Sequence, residues 1–154
     1  MYLEGGTAPG ARRGQQGARD STHPQRSAWM DVPREVFFAG ESSLWHGGGV
    51  AFLNTQEDPT QSNPVRMYLV TREQFLDVFA QENGRDLGIH VDLDEVTRAG
   101  SMEVLASWYG LMLCLSKDHE GYPVYTFTSA NPPSRNPPHE TYRAMIDRGV
   151  AERT

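Results

Sequence analysis

Apolar residues recur at every second position in Val65-Arg66-Met67-Tyr68-Leu69-Val70, which predicts a strand with Val65, Met67 and Leu69 on one face. The period then changes. Phe75, Leu76, Val78 and Phe79 are spaced as the apolar stripe of a helix. Thr71 stands where a helix N-cap is needed, because its hydroxyl can accept a bond from a free first-turn N–H. Glu73 and Gln74 follow as a loose capping box. Asn83-Gly84 supplies a left-handed stop. Glu82 therefore lies at the helix C-terminus, where a carboxylate is electrostatically disfavoured.

The same reading extends along the chain. Val36–Gly40 and Val50–Leu53 are short apolar runs that predict buried strands. Between them lies the polar, glycine-rich turn Glu41–Gly49. It does not fit a phosphate loop, since no Lys-Ser/Thr follows and no helix opens there. Residues 85–100 fit either an acid-loaded edge strand or a short helix from Asp92 to Ala99. Trp108–Leu115 predicts a buried strand, and Tyr122–Thr128 returns from a turn at His119-Glu120-Gly121 to complete a hairpin. Four prolines in 130–138 exclude a helix or a central strand there. Glu140–Glu152 predicts a final helix with Tyr142, Met145, Ile146 and Val150 on one face. The order β-β-β-α-β-β-α predicts an α+β fold on a mostly antiparallel or mixed sheet.

Composition alters this picture at the N-terminus. The 154 residues suit one domain, able to bury roughly two-thirds of its unfolded surface. Mean hydropathy is only -0.58. The apolar deficit is concentrated in the first thirty-five residues and around 129–140. Residues 1–28 read as a loop or partly disordered arm, and 29–154 as a single domain. A net charge of -6 argues against nucleic acid as the main partner, because phosphate binding needs a basic face. No apolar run approaches a membrane span, and no signal peptide is recognisable, so a cytoplasmic protein is the expectation.

Candidate chemistry is sparse. Cys114 is alone and sits among Leu and Met, as a core thiol would. His23, His46, His90, His119 and His139 form no helical zinc pair and read as loop residues. Asp92, Asp94 and Glu95 read as a solvated acidic face rather than a cation site. No metal or other cofactor is expected. Glu82 has two readings. One is an exposed helix-end carboxylate, which periodicity alone favours. The other is a partly enclosed carboxylate whose raised pKa suits general acid–base work.

Three segments together resemble the gamma-glutamylcyclotransferase-like superfamily, and in particular an actinobacterial branch of it. They are Glu41-Ser42…Trp45-His46-Gly47-Gly48-Gly49-Val50-Ala51-Phe52-Leu53, then Val65–Val70, then Phe75–Asn83. Tyr125-Thr126-Phe127-Thr128 and the C-terminal Pro-Pro-x-x-x-Tyr…Gly-Val-Ala-Glu segment extend the likeness over nearly the whole chain. Some members of that branch carry a histone deacetylase label, but no zinc-ligand set appears in this sequence. The resemblance implies a small mixed β-barrel-like sheet with flanking helices. It implies cyclisation of a γ-glutamyl amine to 5-oxoproline with release of the amine, and needs no metal. On this reading Glu82 is the catalytic acid/base, and Tyr109, Tyr142, Gly48 and Gly49 bind substrate. The partner is a small γ-glutamyl molecule. The family's Tyr-Gly-Ser-Asn motif, whose backbone polarises the γ-carbonyl, is absent. Met1–Gly6 resembles the segment after it, so the chain is expected to start downstream of that motif and to expose a sheet edge. Loss of such donors typically costs on the order of two to three decades in rate. A catalytically impaired relative that binds or regulates is the alternative, and a hydrolase or deacetylase a distant one.

Overall fold

The computed structural model describes residues 1–153. In chain order it contains β1 (Arg26–Val32), β2 (Val36–Ala39), β3 (Val50–Leu53), β4 (Asn63–Leu69), α1 (Arg72–Glu82), α2 (Leu93–Ala99), β5 (Ser101–Glu103), β6 (Leu111–Lys117), β7 (Pro123–Thr128) and α3 (Glu140–Ala151). The α+β class agrees with the sequence pattern. The mixed, barrel-like sheet does not appear. Among the described residues there are three small sheets, β1-β4, β2-β3 and β5-β6-β7, and every strand pair in them is antiparallel.

Side chains occupy part of the β3 edge. Where β3 approaches β7, no backbone ladder forms. The Thr128 hydroxyl instead donates to Leu53 O at 2.8 Å and accepts from Leu53 N at 3.1 Å. One side chain thus satisfies both backbone groups that a neighbouring strand would have paired. The proline-rich segment is tied to the β2 edge by the Ala39–Arg135 bridge and by Asn136 N donating to Phe38 O at 3.1 Å.

Two apolar clusters fill the interior. Ala39, Trp45, Val50 and Phe52 form one under the β2-β3 pair, with Tyr109 and Tyr142 packed against it. Phe79, Leu93, Val96 and Met112 form the other between α1, α2 and β6, with Phe75, Leu76, Tyr125 and Phe127 around them. Phe127 joins the two, with its ring edge-on to both Phe79 at 5.5 Å and Tyr109 at 6.2 Å.

Several elements differ from the sequence reading. The ambiguous 85–100 stretch resolves as a helix because Asp92 caps it, accepting from the Asp94 and Glu95 amides. β5 was not predicted. β1 begins at Arg26, inside the stretch read as an arm. Residues 1–25 form no long strand or helix, but they fold back on themselves. Gly6 and Gln15 exchange backbone bonds, and Ala18 N donates to Leu3 O at 2.9 Å.

This loop is held by α1. Gln74, Asp77 and Gln81 lie at i, i+3 and i+7, on one face of the helix. Gln74 Nε2 donates to Thr22 O at 2.9 Å. Asp77 accepts from Arg19 N at 2.9 Å and from the Arg19 guanidinium at 3.1 Å through each of two nitrogens. Gln81 Nε2 donates to Tyr2 O, and its Oε1 accepts from Gly17 N, both at 2.8 Å. So α1 buries Gln74 and Asp77 as well as Phe79 and Ala80. The capping box forms as predicted, through Thr71 and Gln74.

Candidate functional site

α1 stops where the sequence places its stop. Asn83 is the C-cap and Gly84 takes the left-handed conformation with φ of 62°. Asn83 has a second task. Its Nδ2 donates to Phe79 O at 2.9 Å and to Tyr109 O at 3.1 Å, and its Oδ1 accepts from Ser107 Oγ. These bonds fasten the end of α1 to the 105–110 turn. That turn is tight, since a Cβ on Gly110 would meet Leu105 O. It projects Tyr109 towards β3 and towards Glu82.

Tyr109 and Tyr142 meet at the backbone of one residue, Ala51. Tyr109 Oη donates to Ala51 O at 2.9 Å, and Tyr142 Oη accepts from Ala51 N at 3.1 Å. Tyr109 stacks on Phe52 with ring centroids 4.9 Å apart. Tyr142 leans on Trp45, also at 4.9 Å, and meets Phe38 edge-on at 6.2 Å. The two tyrosines, one on a turn and one in the first turn of α3, are therefore locked to the same strand.

Glu82 lies within electrostatic reach of both. Its residue retains some solvent exposure. Burial of the carboxyl pushes its pKa above the usual carboxylate range, and the neighbouring Tyr2 hydroxyl partly opposes this. The last turn of α1 holds no basic residue to compensate the charge. Tyr2 is pushed up first by its own burial and then by the neighbouring Glu82 charge. Tyr109 is also raised, by burial and then by Tyr142 and Glu82. Burial likewise raises Tyr142, against a hydrogen bond from Ala51. All three phenols stay protonated at neutral pH. Glu82 thus sits in a frame of hydroxyl groups, with a proton affinity higher than that of an exposed glutamate. Such a carboxyl can accept a proton and return it near neutral pH.

Of the residues singled out in the sequence, Glu82, Tyr109 and Tyr142 come together. Gly48 and Gly49 have a packing reason for being glycine. A Cβ on Gly48 would lie 2.3 Å from His139 N, and one on Gly49 would lie 2.0 Å from Asn136 O. They let the segment entering α3 cross the β2-β3 connection at close range. His139 caps α3 by accepting from Thr141 N, and its ring lies tilted against that of His46, with centroids 4.6 Å apart. Tyr2, Gln81, the Ala51 backbone groups and the tie from Asn83 to the 105–110 turn were not recognised from the sequence. Among the described residues, no group of three or more His, Cys, Asp or Glu is arranged to hold a metal ion.

Two open clefts flank Pro133 and Arg135. One, of about 240 Å³, is lined by residues that include Phe37, Leu53 and Ser129. The other, of about 350 Å³, lies between Gly40, Glu41, Trp108 and Asn136. Neither has Glu82, Tyr109 or Tyr142 in its lining. No described helix is long and apolar enough to cross a membrane.

No protein-family model matches the chain, and no solved structure matches it. A protein named histone deacetylase 5, from Arabidopsis thaliana, is 33% identical over 174 aligned positions. That alignment takes in 98% of this chain but 26% of the plant protein. The chain thus spans about a quarter of the length of that relative, whose name describes the whole protein.

Proposed function

We propose that this domain is a gamma-glutamylcyclotransferase-like protein that converts a γ-glutamyl amine into 5-oxoproline and the free amine, with Glu82 as the acid/base. The observation that carries the proposal is the desolvated Glu82 carboxyl at the end of α1, framed by Tyr2, Tyr109 and Tyr142. The motif resemblance described above supports the same residue in the same role.

The reaction balances within one substrate. Glu82 takes a proton from the substrate α-ammonium. The freed amine attacks the γ-carbonyl carbon, forming the ring C–N bond and a tetrahedral centre. The amide C–N bond then breaks as Glu82 returns its proton to the leaving nitrogen, and the ring nitrogen gives up its second proton, which departs with the amine as an ammonium ion. Water is not consumed and no redox change occurs. Nucleophile and electrophile belong to one molecule, so holding the chain folded supplies much of the rate. A carboxyl with raised proton affinity suits both proton transfers, because it is a stronger base than an exposed glutamate and still an acid towards an amine. The aromatic walls, Tyr109 stacked on Phe52 and Tyr142 leaning on Trp45, supply apolar surface beside that exchange.

The second reading is a relative that keeps the frame without turnover. It is favoured by Tyr2, a buried phenol beside Glu82 whose pKa is raised by burial and by the neighbouring carboxylate. The deacetylase name of the plant relative gives a third and more distant reading. It has no matching cluster of metal ligands among the described residues.

The test is release of 5-oxoproline from a panel of γ-glutamyl amines by the wild type and by Glu82→Gln. Loss of a positioned acid/base group typically costs about 10²- to 10⁴-fold. Equal release by the two proteins would remove Glu82 from the mechanism. No release by the wild type would favour the non-catalytic reading.

A further inference from the structure

Ring closure on a γ-carbonyl builds negative charge on the carbonyl oxygen. Glu82 is occupied with the amine proton at that moment and cannot hold this charge. A hydrogen-bond donor fixed in place beforehand is worth most, because it does not reorganise as the charge develops.

The hydrogen bonds of the three phenols near Glu82 separate them. A phenol has one proton to give and lone pairs with which to accept. The Tyr109 hydroxyl is fixed, but its proton is spent on Ala51 O at 2.9 Å. Tyr2 is held through its backbone carbonyl, which accepts from Gln81 Nε2 at 2.8 Å, rather than through its hydroxyl. The Tyr142 hydroxyl is fixed by accepting from Ala51 N at 3.1 Å, a bond that leaves its own proton unspent. Among the described residues no group takes that proton. A hydroxyl that already accepts a bond is polarised by it and donates more strongly.

The Tyr142 ring is clamped as well. It leans on Trp45 at 4.9 Å, meets Phe38 edge-on at 6.2 Å and stands in the first turn of α3. A chain of bonds ties it to the end of α1. Asn83, the residue after Glu82, donates to Tyr109 O at 3.1 Å, and Tyr109 and Tyr142 both close on the Ala51 backbone. The Glu82 charge is felt at both tyrosines.

We propose that Tyr142 is a catalytic residue that donates its O–H to the γ-carbonyl oxygen, holding the negative charge of the tetrahedral centre until the amide C–N bond breaks. The role rests on the cyclotransferase reading for its substrate; the fixed hydroxyl with an unspent proton does not. No proton leaves Tyr142. The phenol stays protonated, and the oxygen gives up its charge as the carbonyl re-forms.

The test compares wild type, Tyr142→Phe and Tyr109→Phe, each as the whole chain, in 5-oxoproline release from a panel of γ-glutamyl amines. Each substitution removes one hydroxyl and one bond to Ala51, so the two carry a similar structural cost. Tyr142→Phe should lower kcat about 10²- to 10³-fold. Its KM should stay close to the wild-type value, because the bond strengthens only as the oxygen becomes charged. Tyr109→Phe should lower kcat far less. Equal falls in kcat, or a fall carried by KM, overturn the role and leave Tyr142 a structural tie. A second measurement needs no variant to fold. The assigned tyrosine ¹³Cζ signals of the wild type are followed by NMR at a 5-oxoproline concentration that halves the release rate. The Tyr142 signal should move more than that of Tyr109, since the lactam oxygen of 5-oxoproline is the former γ-carbonyl oxygen. An unmoved Tyr142 signal overturns the role. Release by the wild type with kcat unchanged in Tyr142→Phe overturns the role alone, whereas no release by the wild type overturns the cyclotransferase reading and the role together.

Discussion

Gly49→Ala separates a packing role from a substrate-binding role at a position the motif resemblance assigns to substrate. The added Cβ would lie 2.0 Å from Asn136 O and 3.1 Å from Ala39 N, whereas ordinary van der Waals contact begins at 3.4 Å. The obstructing atom is backbone and is pinned. Asn136 N donates to Phe38 O at 3.1 Å, and its Nδ2 donates to Gly40 O at 2.8 Å and to Gly47 O at 3.0 Å. Gly49 N also donates to Pro137 O at 2.9 Å. Moving the segment far enough to admit a methyl group sacrifices about two of these bonds, each about 1 kcal/mol net. Overpacking strain adds about 1–3 kcal/mol. The expected destabilisation is therefore about 3–5 kcal/mol, a large share of the stability of a domain this size. Urea denaturation of the wild type and Gly49→Ala, followed by tryptophan fluorescence, measures it directly. A loss under about 1 kcal/mol would refute the reasoning, because it would mean that the 136–139 segment yields freely. If 5-oxoproline release fell while stability held, Gly49 would be a substrate contact.

Other outcomes follow from the same contacts. Asp77→Asn replaces an acceptor with a donor opposite the Arg19 amide and guanidinium, so the N-terminal loop should open more often and tryptic cleavage at Arg12, Arg13 and Arg19 should accelerate about tenfold. Glu82→Gln should stabilise the fold at pH 8. The folded-state pKa of Glu82 is raised, so its ionisation costs stability as pH climbs from the unfolded value through the folded one, and the advantage of Gln should vanish below about pH 4, where the wild-type carboxyl is protonated in both states. Thermal melts of both proteins across that range check the sign, and an advantage that is independent of pH would contradict it. Thr71→Ala removes the hydroxyl half of the capping box and should cost about 1 kcal/mol by chemical denaturation, with little effect on activity.

Local chemistry was the legible part of the chain. The strand–cap–helix unit ending in Asn83-Gly84 depends on groups a few residues apart, and it forms as the sequence predicts. The β6-β7 hairpin and α3 likewise have their own periodicity and turn residues. β1 was less legible because its partner, β4, lies beyond two intervening strands in sequence. The division into small sheets was not legible, because nothing in the sequence marks Thr128 as the group that occupies both Leu53 backbone groups, nor Tyr109 and Tyr142 as those that occupy Ala51's. At the site, Glu82 drew notice through its unfavourable place at a helix end. Tyr2 carried no local signal. A trace of its anchorage was available in Gln74, Asp77 and Gln81, a polar stripe at helical spacing that pointed to something polar packed along α1. What it held could not be read from the helix, because Gln81 bonds only to backbone groups, two in the loop and one in its own helix, and Gln74 bonds mainly to backbone groups.

The Ala51 backbone shows how such a frame escapes notice. Tyr109 and Tyr142 grip the C=O and N–H of Ala51, which belong to the two peptide units flanking it, and not its methyl group. Another strand-compatible residue at position 51 could therefore keep both bonds, whatever its side chain. Substitution at that site would report on the space beside β3 and reveal nothing of the two hydroxyls fastened to it. The memory of the arrangement resides in the tyrosines. A library varying them in concert, with position 51 left open, would find the coupling that single-site scanning of β3 would pass over.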